Sequence, residues 1–183
     1  MKKLIVILVL MTPLGLFAQS DAEKKLTKFE EFNSKTGRIS KFVDVTMPRI
    51  SKSFMGSMET SIRTLMGEQS NFYFYRIEDS ENQRSNIAMI EYSDLVEINK
   101  ALAKLVDEVE SDCAAKPDYL ENRFITEDGF QIGYYVSKGK ASWYLKLERY
   151  KSSTVFIKNA ETLTSNFTEA QKKIEELKSS YGK

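Results

Sequence analysis

The residues that most often do chemistry are largely missing from this chain. None of its 183 residues is His. That removes Ser–His triads, His general bases and every His-ligated metal. The single Cys113 removes a Cys-cluster zinc site, a Cys-x-x-Cys redox pair and any disulfide within the chain. Ser and Thr are plentiful, but no Gly-x-Ser-x-Gly elbow, no supported Ser-x-x-Lys motif and no Gly-rich phosphate loop occurs.

Carboxylates are what remain for catalysis. Asp107, Glu108, Glu110 and Asp112 lie close together, and such groups can bind calcium or act as an acid–base pair. On a helix, however, Asp107, Glu108 and Asp112 point away from the apolar stripe, and no calcium-loop glycine accompanies them. A solvated helix end is the expected role. Glu127-Asp128-Gly129 reads as a hairpin turn. No metal and no cofactor are expected, and an enzyme is the less favoured class. A hydrolase using Asp or Glu alone would need two carboxylates facing each other in a cleft, about 5–10 Å apart.

The segment from Tyr134 to Lys151 interleaves rings and cations: Tyr134, Tyr135, Lys138, Lys140, Trp143, Tyr144, Lys146, Arg149, Tyr150 and Lys151. Rings can stack on bases while Lys meets phosphate, and the same mixture suits sugar or peptide. The plainer reading is a strand pair with one buried and one amphipathic face. Alternation then separates Ile132, Tyr134, Val136, Trp143, Leu145 and Leu147 from Tyr135, Tyr144 and Lys146. With the larger apolar set inside, Tyr135, Tyr144 and Lys146 are expected to form an exposed patch, and they are the candidate ligand-binding residues.

These residues must be held by strands and helices. Asp21 to Ser34, with Leu26, Phe29 and Phe32 about three apart, suggests a short helix or packed arm over 19–35. A β-rich run from Ile39 to Met47 leads up to Pro48, which a central strand would not tolerate. Strands are expected within Met55–Met66, Phe72–Ile77 and Ile87–Tyr92. Ser93 is the expected N-cap of a helix whose Leu95, Ile98, Leu102, Leu105, Val109 and Cys113 share one face. Cys113 is therefore read as a small buried hydrophobe rather than a reactive or intermolecular thiol. Strands follow at Tyr119–Thr126, Phe130–Val136, around Trp143–Leu147, and at Val155–Ile157. Asn159 should cap a last helix with Leu163, Phe167, Ala170, Ile174, Leu177 and Tyr181 on one face. The sequon Asn166-Phe167-Thr168 is discounted because Phe167 lies on that stripe.

The order four strands then one helix thus occurs twice, near 36–114 and 118–181, within a single domain spanning 36–183. The fold class expected is α+β, with antiparallel sheets and two amphipathic helices. A tandem ββββα duplication is the preferred reading, and coincidence within an ordinary α+β domain is the alternative. In topology alone the pattern resembles the Whirly and PUR-alpha class of single-stranded nucleic-acid binders, though none of their motifs is present.

The first eighteen residues point elsewhere. Lys2 and Lys3 precede an apolar run from Leu4 to Leu10, then Pro13, Gly15 and a small residue at Ala18. This reads as a signal peptide over 1–18, cleaved before Gln19, and too short to span a bilayer. The whole chain has 27 basic and 26 acidic residues, and residues 1–18 hold two Lys and no acid, so 25 and 26 remain after cleavage. That balance gives no general pull toward nucleic acid. The function expected is a secreted or periplasmic, non-catalytic module that binds a protein, glycan or hydrophobic ligand. Single-stranded nucleic-acid binding through the aromatic–basic hairpin and a carboxylate-only hydrolase are the alternatives.

Overall fold

The computed structural model describes residues 25–34, 39–67, 70–81, 84–148 and 154–180. The expected leader and cleavage point lie outside them, as do Arg149, Tyr150, Lys151 and Tyr181.

The architecture is α+β, built from two units of four antiparallel strands followed by a helix. The first sheet has the order β1 (Lys41–Ser51), β2 (Ser57–Met66), β3 (Phe72–Glu81) and β4 (Arg84–Glu91), and leads into α2 (Tyr92–Ala114). The second has β5 (Leu120–Ile125), β6 (Gln131–Ser137), β7 (Lys140–Lys146) and β8 (Val155–Phe156), and leads into α3 (Ala160–Ser180). A short helix α1 (Lys28–Asn33) precedes both. Short connections force the antiparallel order. Between β6 and β7, Lys138 and Gly139 both have positive φ, at 51° and 74°. Two left-handed residues in a row make the tight hairpin whose twist matches its strands.

The sequence expectation needs correcting at Pro48. β1 does not stop there but runs on to Ser51. It is a terminal strand of its sheet, and its register shifts between Met47 and Ile50. Edge strands and bulges are the places where a missing N–H costs little. The Pro48 carbonyl still accepts the Thr60 hydroxyl at 2.8 Å. Beyond the bulge, Lys52 bridges to Ile157, and Ser53 N–H donates to the Phe156 carbonyl at 2.9 Å. The two sheets therefore meet edge to edge, β1 beside β8.

The caps are half as expected. Asn159 Oδ1 accepts Thr162 N–H at 3.0 Å, as an N-cap should. The first long helix begins earlier than Ser93: Glu91 is its N-cap, and its carboxylate accepts Ser93 N–H at 2.7 Å. A carboxylate suits that position because the helix dipole favours negative charge there.

Both helices lie on the same side of the sheets and share one core, but not unit by unit. The α2 stripe buries Leu95, Ile98, Leu102 and Leu105, while Val109 and Cys113 are half-buried against the same core. It packs on β5 and β6 of the second sheet as well as on β3 and β4 of its own. The α3 stripe buries Leu163, Phe167, Ala170 and Ile174, and packs on β1 and β2 of the first sheet. Asn99 on α2 clasps the two helices, donating to the Phe167 carbonyl at 3.2 Å and to Gln171 Oε1 at 2.7 Å.

Candidate functional site

Register settles which residues share a face of the second sheet. Asn122, Tyr134 and Trp143 are cross-strand neighbours on the core side, as are Phe124, Ile132 and Leu145. On the opposite side, Glu121 pairs with Tyr135, Arg123 with Gly133, Gly133 with Tyr144, Gln131 with Lys146, and Tyr144 with Phe156. The structure thus brings Tyr135, Tyr144 and Lys146 together on one outer face, and adds Glu121, Arg123 and Gln131.

Exposure differs from the sequence expectation. Tyr144 is fully buried, and Tyr135 and Lys146 are half-buried. The cause is Gly133. A Cβ there would meet the Asn122 carbonyl oxygen at 2.2 Å, so only glycine fits between β5 and β7. With no side chain on Gly133, the Tyr144 ring crosses β6, and its hydroxyl donates to Glu121 Oε1 on β5 at 2.5 Å. Tyr135 stacks on it, with ring centroids 4.5 Å apart and planes 18° apart. Lys146 Nζ sits 5.6 Å from the Tyr144 centroid. Tyr144 is the foundation of the patch rather than its surface.

The surface itself is Tyr135 with Tyr119, a residue that strand alternation in the hairpin did not single out. Tyr119 lies just before β5, is 63% exposed, and stands 5.8 Å from Tyr135. Glu121 organises the polar surroundings, taking Arg123 at 3.1 Å and the Tyr119 hydroxyl at 3.3 Å. Arg123 also donates to Gln131 at 3.3 Å. Burial opposes the Glu121 charge, but the Tyr144 hydroxyl and the Arg123 guanidinium outweigh it and hold the carboxyl below its usual range. Burial, then Glu121 beside it, pushes the Tyr144 phenol well above its usual value. The tyrosine stays protonated and the glutamate stays charged, so the hydrogen bond keeps its polarity across the neutral range.

The acid cluster of α2 also departs from expectation. Asp112 accepts the Tyr134 hydroxyl at 2.6 Å, and Glu108 accepts Asn122 Nδ2 at 2.8 Å. These two acids are not simply solvated: they fasten the end of α2 to β5 and β6. Among the described residues, no three Cys, Asp or Glu side chains are grouped as metal ligands.

The corresponding outer face of the first sheet is occupied by the chain itself. Thr27 and Glu30 form a capping box that starts α1. Phe32 then stacks on Phe72 at 3.9 Å, and Phe29 meets Phe74 edge-on at 5.2 Å. Phe74 is fully buried as a result, although it faces away from the helical layer. Comparison with protein-family models, curated proteins and solved structures finds no match to this chain. The class defined by fold and surface is a tandem ββββα protein with one outer sheet face roofed by α1 and the other carrying the tyrosine patch.

Proposed function

We propose that this is an exported, non-catalytic binding module, acting in the periplasm or outside the cell, whose contact surface is the outer face of the second sheet. The observation that carries the reading is the stacked tyrosine platform. Tyr135 is backed by the buried Tyr144 ring, and Tyr119 stands exposed beside it. A ring fixed from behind loses little conformational freedom when a ligand stacks on it. The platform is edged by a carboxylate, a guanidinium, an amide and an ammonium, from Glu121, Arg123, Gln131 and Lys146. Mixed donors and acceptors around an aromatic face suit a neutral, polyhydroxylated ligand, so a glycan is the preferred occupant.

Nucleic acid is the second reading, because Lys146 and Arg123 adjoin the rings. Glu121, bonded to Arg123 at 3.1 Å, offsets the positive charge that a phosphate backbone needs. The hydrolase reading has less support: Asp94 and Asp128, two acids beside α1, are both engaged by Lys28. Calorimetric titration with oligosaccharides and with a single-stranded oligonucleotide tests the choice. Sugar binding that disappears in Tyr119→Ala and Tyr135→Ala supports the proposal. Oligonucleotide binding that weakens steeply with salt favours the second reading and defeats the first. Export is tested separately by mass spectrometry of secreted or periplasmic protein, which should begin at Gln19.

A further inference from the structure

Between α1, the outer surface of β3 and β4, and the turn joining β5 to β6 lies a cavity of about 490 Å³. That volume is in the range of small-molecule sites, about 300–1,000 Å³. Leu26, Phe29, Ile87, Met89, Phe130 and Leu147 give it an apolar lining. Three cations and four acids also line it, and each already has a partner within the protein. Arg63 pairs with Asp44, Arg76 with Glu78 and Lys25 with Glu127. Asp94 takes Lys28 Nζ at 2.7 Å, and Asp128 takes Lys28 N–H at 3.1 Å. Glu30 takes Thr27 N–H at 2.8 Å, and Glu148 takes Ile87 N–H at 3.4 Å. An anionic ligand would find no cation here without breaking one of these ion pairs.

Among the described residues of this lining, one side-chain polar atom is buried without a hydrogen-bond partner, and it is a donor: Arg76 Nε. A buried donor left unmatched costs free energy that an acceptor recovers. We propose that this cavity binds an uncharged amphipathic small molecule, with an apolar body against Phe29, Ile87, Met89 and Leu147 and a single acceptor oxygen, such as an ester or ketone carbonyl, at Arg76. The site lies on the first sheet and is independent of the tyrosine platform on the second.

Nile red, an uncharged dye with one ring carbonyl, serves as the probe in a fluorescence titration of the purified protein. One saturable site with blue-shifted emission is expected. Methyl laurate should displace the dye at least tenfold more effectively than laurate. Ile87→Trp fills the cavity and should abolish binding. Leu26→Trp, just before α1, fills it from the other side and serves if the first variant does not fold, as judged by circular dichroism. Arg76→Lys keeps the charge facing Glu78 but removes Nε, and should weaken binding at least fivefold. Tyr119→Ala should bind the dye as the parent does. Non-saturable binding, or full binding by a folded cavity-filling variant, overturns the site. Equal displacement by laurate overturns the uncharged ligand class.

Discussion

Tyr144 stands on the outer face of β7 yet has no exposed surface, because Gly133 lets its ring lie across β6 and Glu121 receives its hydroxyl. Removing a ring packed in this way should cost as much as a core substitution. Tyr144→Ala is expected to lower stability by about 3–5 kcal/mol, and Tyr144→Phe by about 1 kcal/mol, both read from urea midpoints. Half-buried Tyr135 should lose no more than about 1 kcal/mol on replacement by Ala. Charge acts at the same scale. The Arg63 hydrogen bond holds the Asp44 carboxyl low, and Ser85 and Arg76 hold Glu78 low. With Glu121, these groups stabilise the fold above their unfolded pKa values and lose that contribution as pH falls through their lowered folded values. The urea midpoint should therefore hold from pH 7 to about 5 and decline below about pH 4. Asp128 has the opposite sign: burial first raises its pKa, so protonation favours the folded state. Asp128→Asn keeps an acceptor for Lys28 N–H, and at pH 7 should be at least as stable as the parent.

Among the elements, the joint between the two sheets rests on a buried ion pair whose loss is costly. Lys52, just after β1, pairs with Asp79 on β3, and their side chains are only 10% and 5% exposed. The same Lys52 makes the backbone bridge to Ile157 beside β8. Cutting one member leaves a buried charge unmatched, so Lys52→Ala should cost about 3–5 kcal/mol, while Lys52→Met with Asp79→Leu should recover much of that loss. A double-mutant cycle in urea measures it, and additive losses would show that the two charges are not coupled. Element boundaries were legible where side chains act locally. Asn159 could be identified as a cap from its neighbours, and the stripes of α2 and α3 follow from a period of 3.6 residues. Pro48 could not be placed the same way. Whether a strand tolerates proline depends on what lies beside it, and sequence does not show that β1 is an edge.

The whole molecule is held together by helices that reach across the repeat. α2 covers β5 and β6 of the second sheet besides β3 and β4 of its own, and α3 covers β1 and β2 of the first. Neither half encloses its own core, so fragments 36–114 and 118–181 should each fail to fold alone, and mixing them should restore cooperative melting by circular dichroism. A folded fragment would show that each unit closes over itself. From the sequence alone came the α+β class, the eight strands in two sets of four, both amphipathic helices, and the parity that sends Tyr134 and Trp143 inward and Tyr135 and Tyr144 to the other face. All of these follow from periodicity, capping and turn chemistry, which act over a few residues. Tertiary structure alone decided that Tyr144 is buried across Gly133, that Glu108 and Asp112 fasten α2 to the second sheet, that the helices cross between units, and that α1 roofs a cavity. Each of these joins residues from separate elements, and the free energy that selects them comes from shared burial and cross-strand contact, which no local pattern encodes.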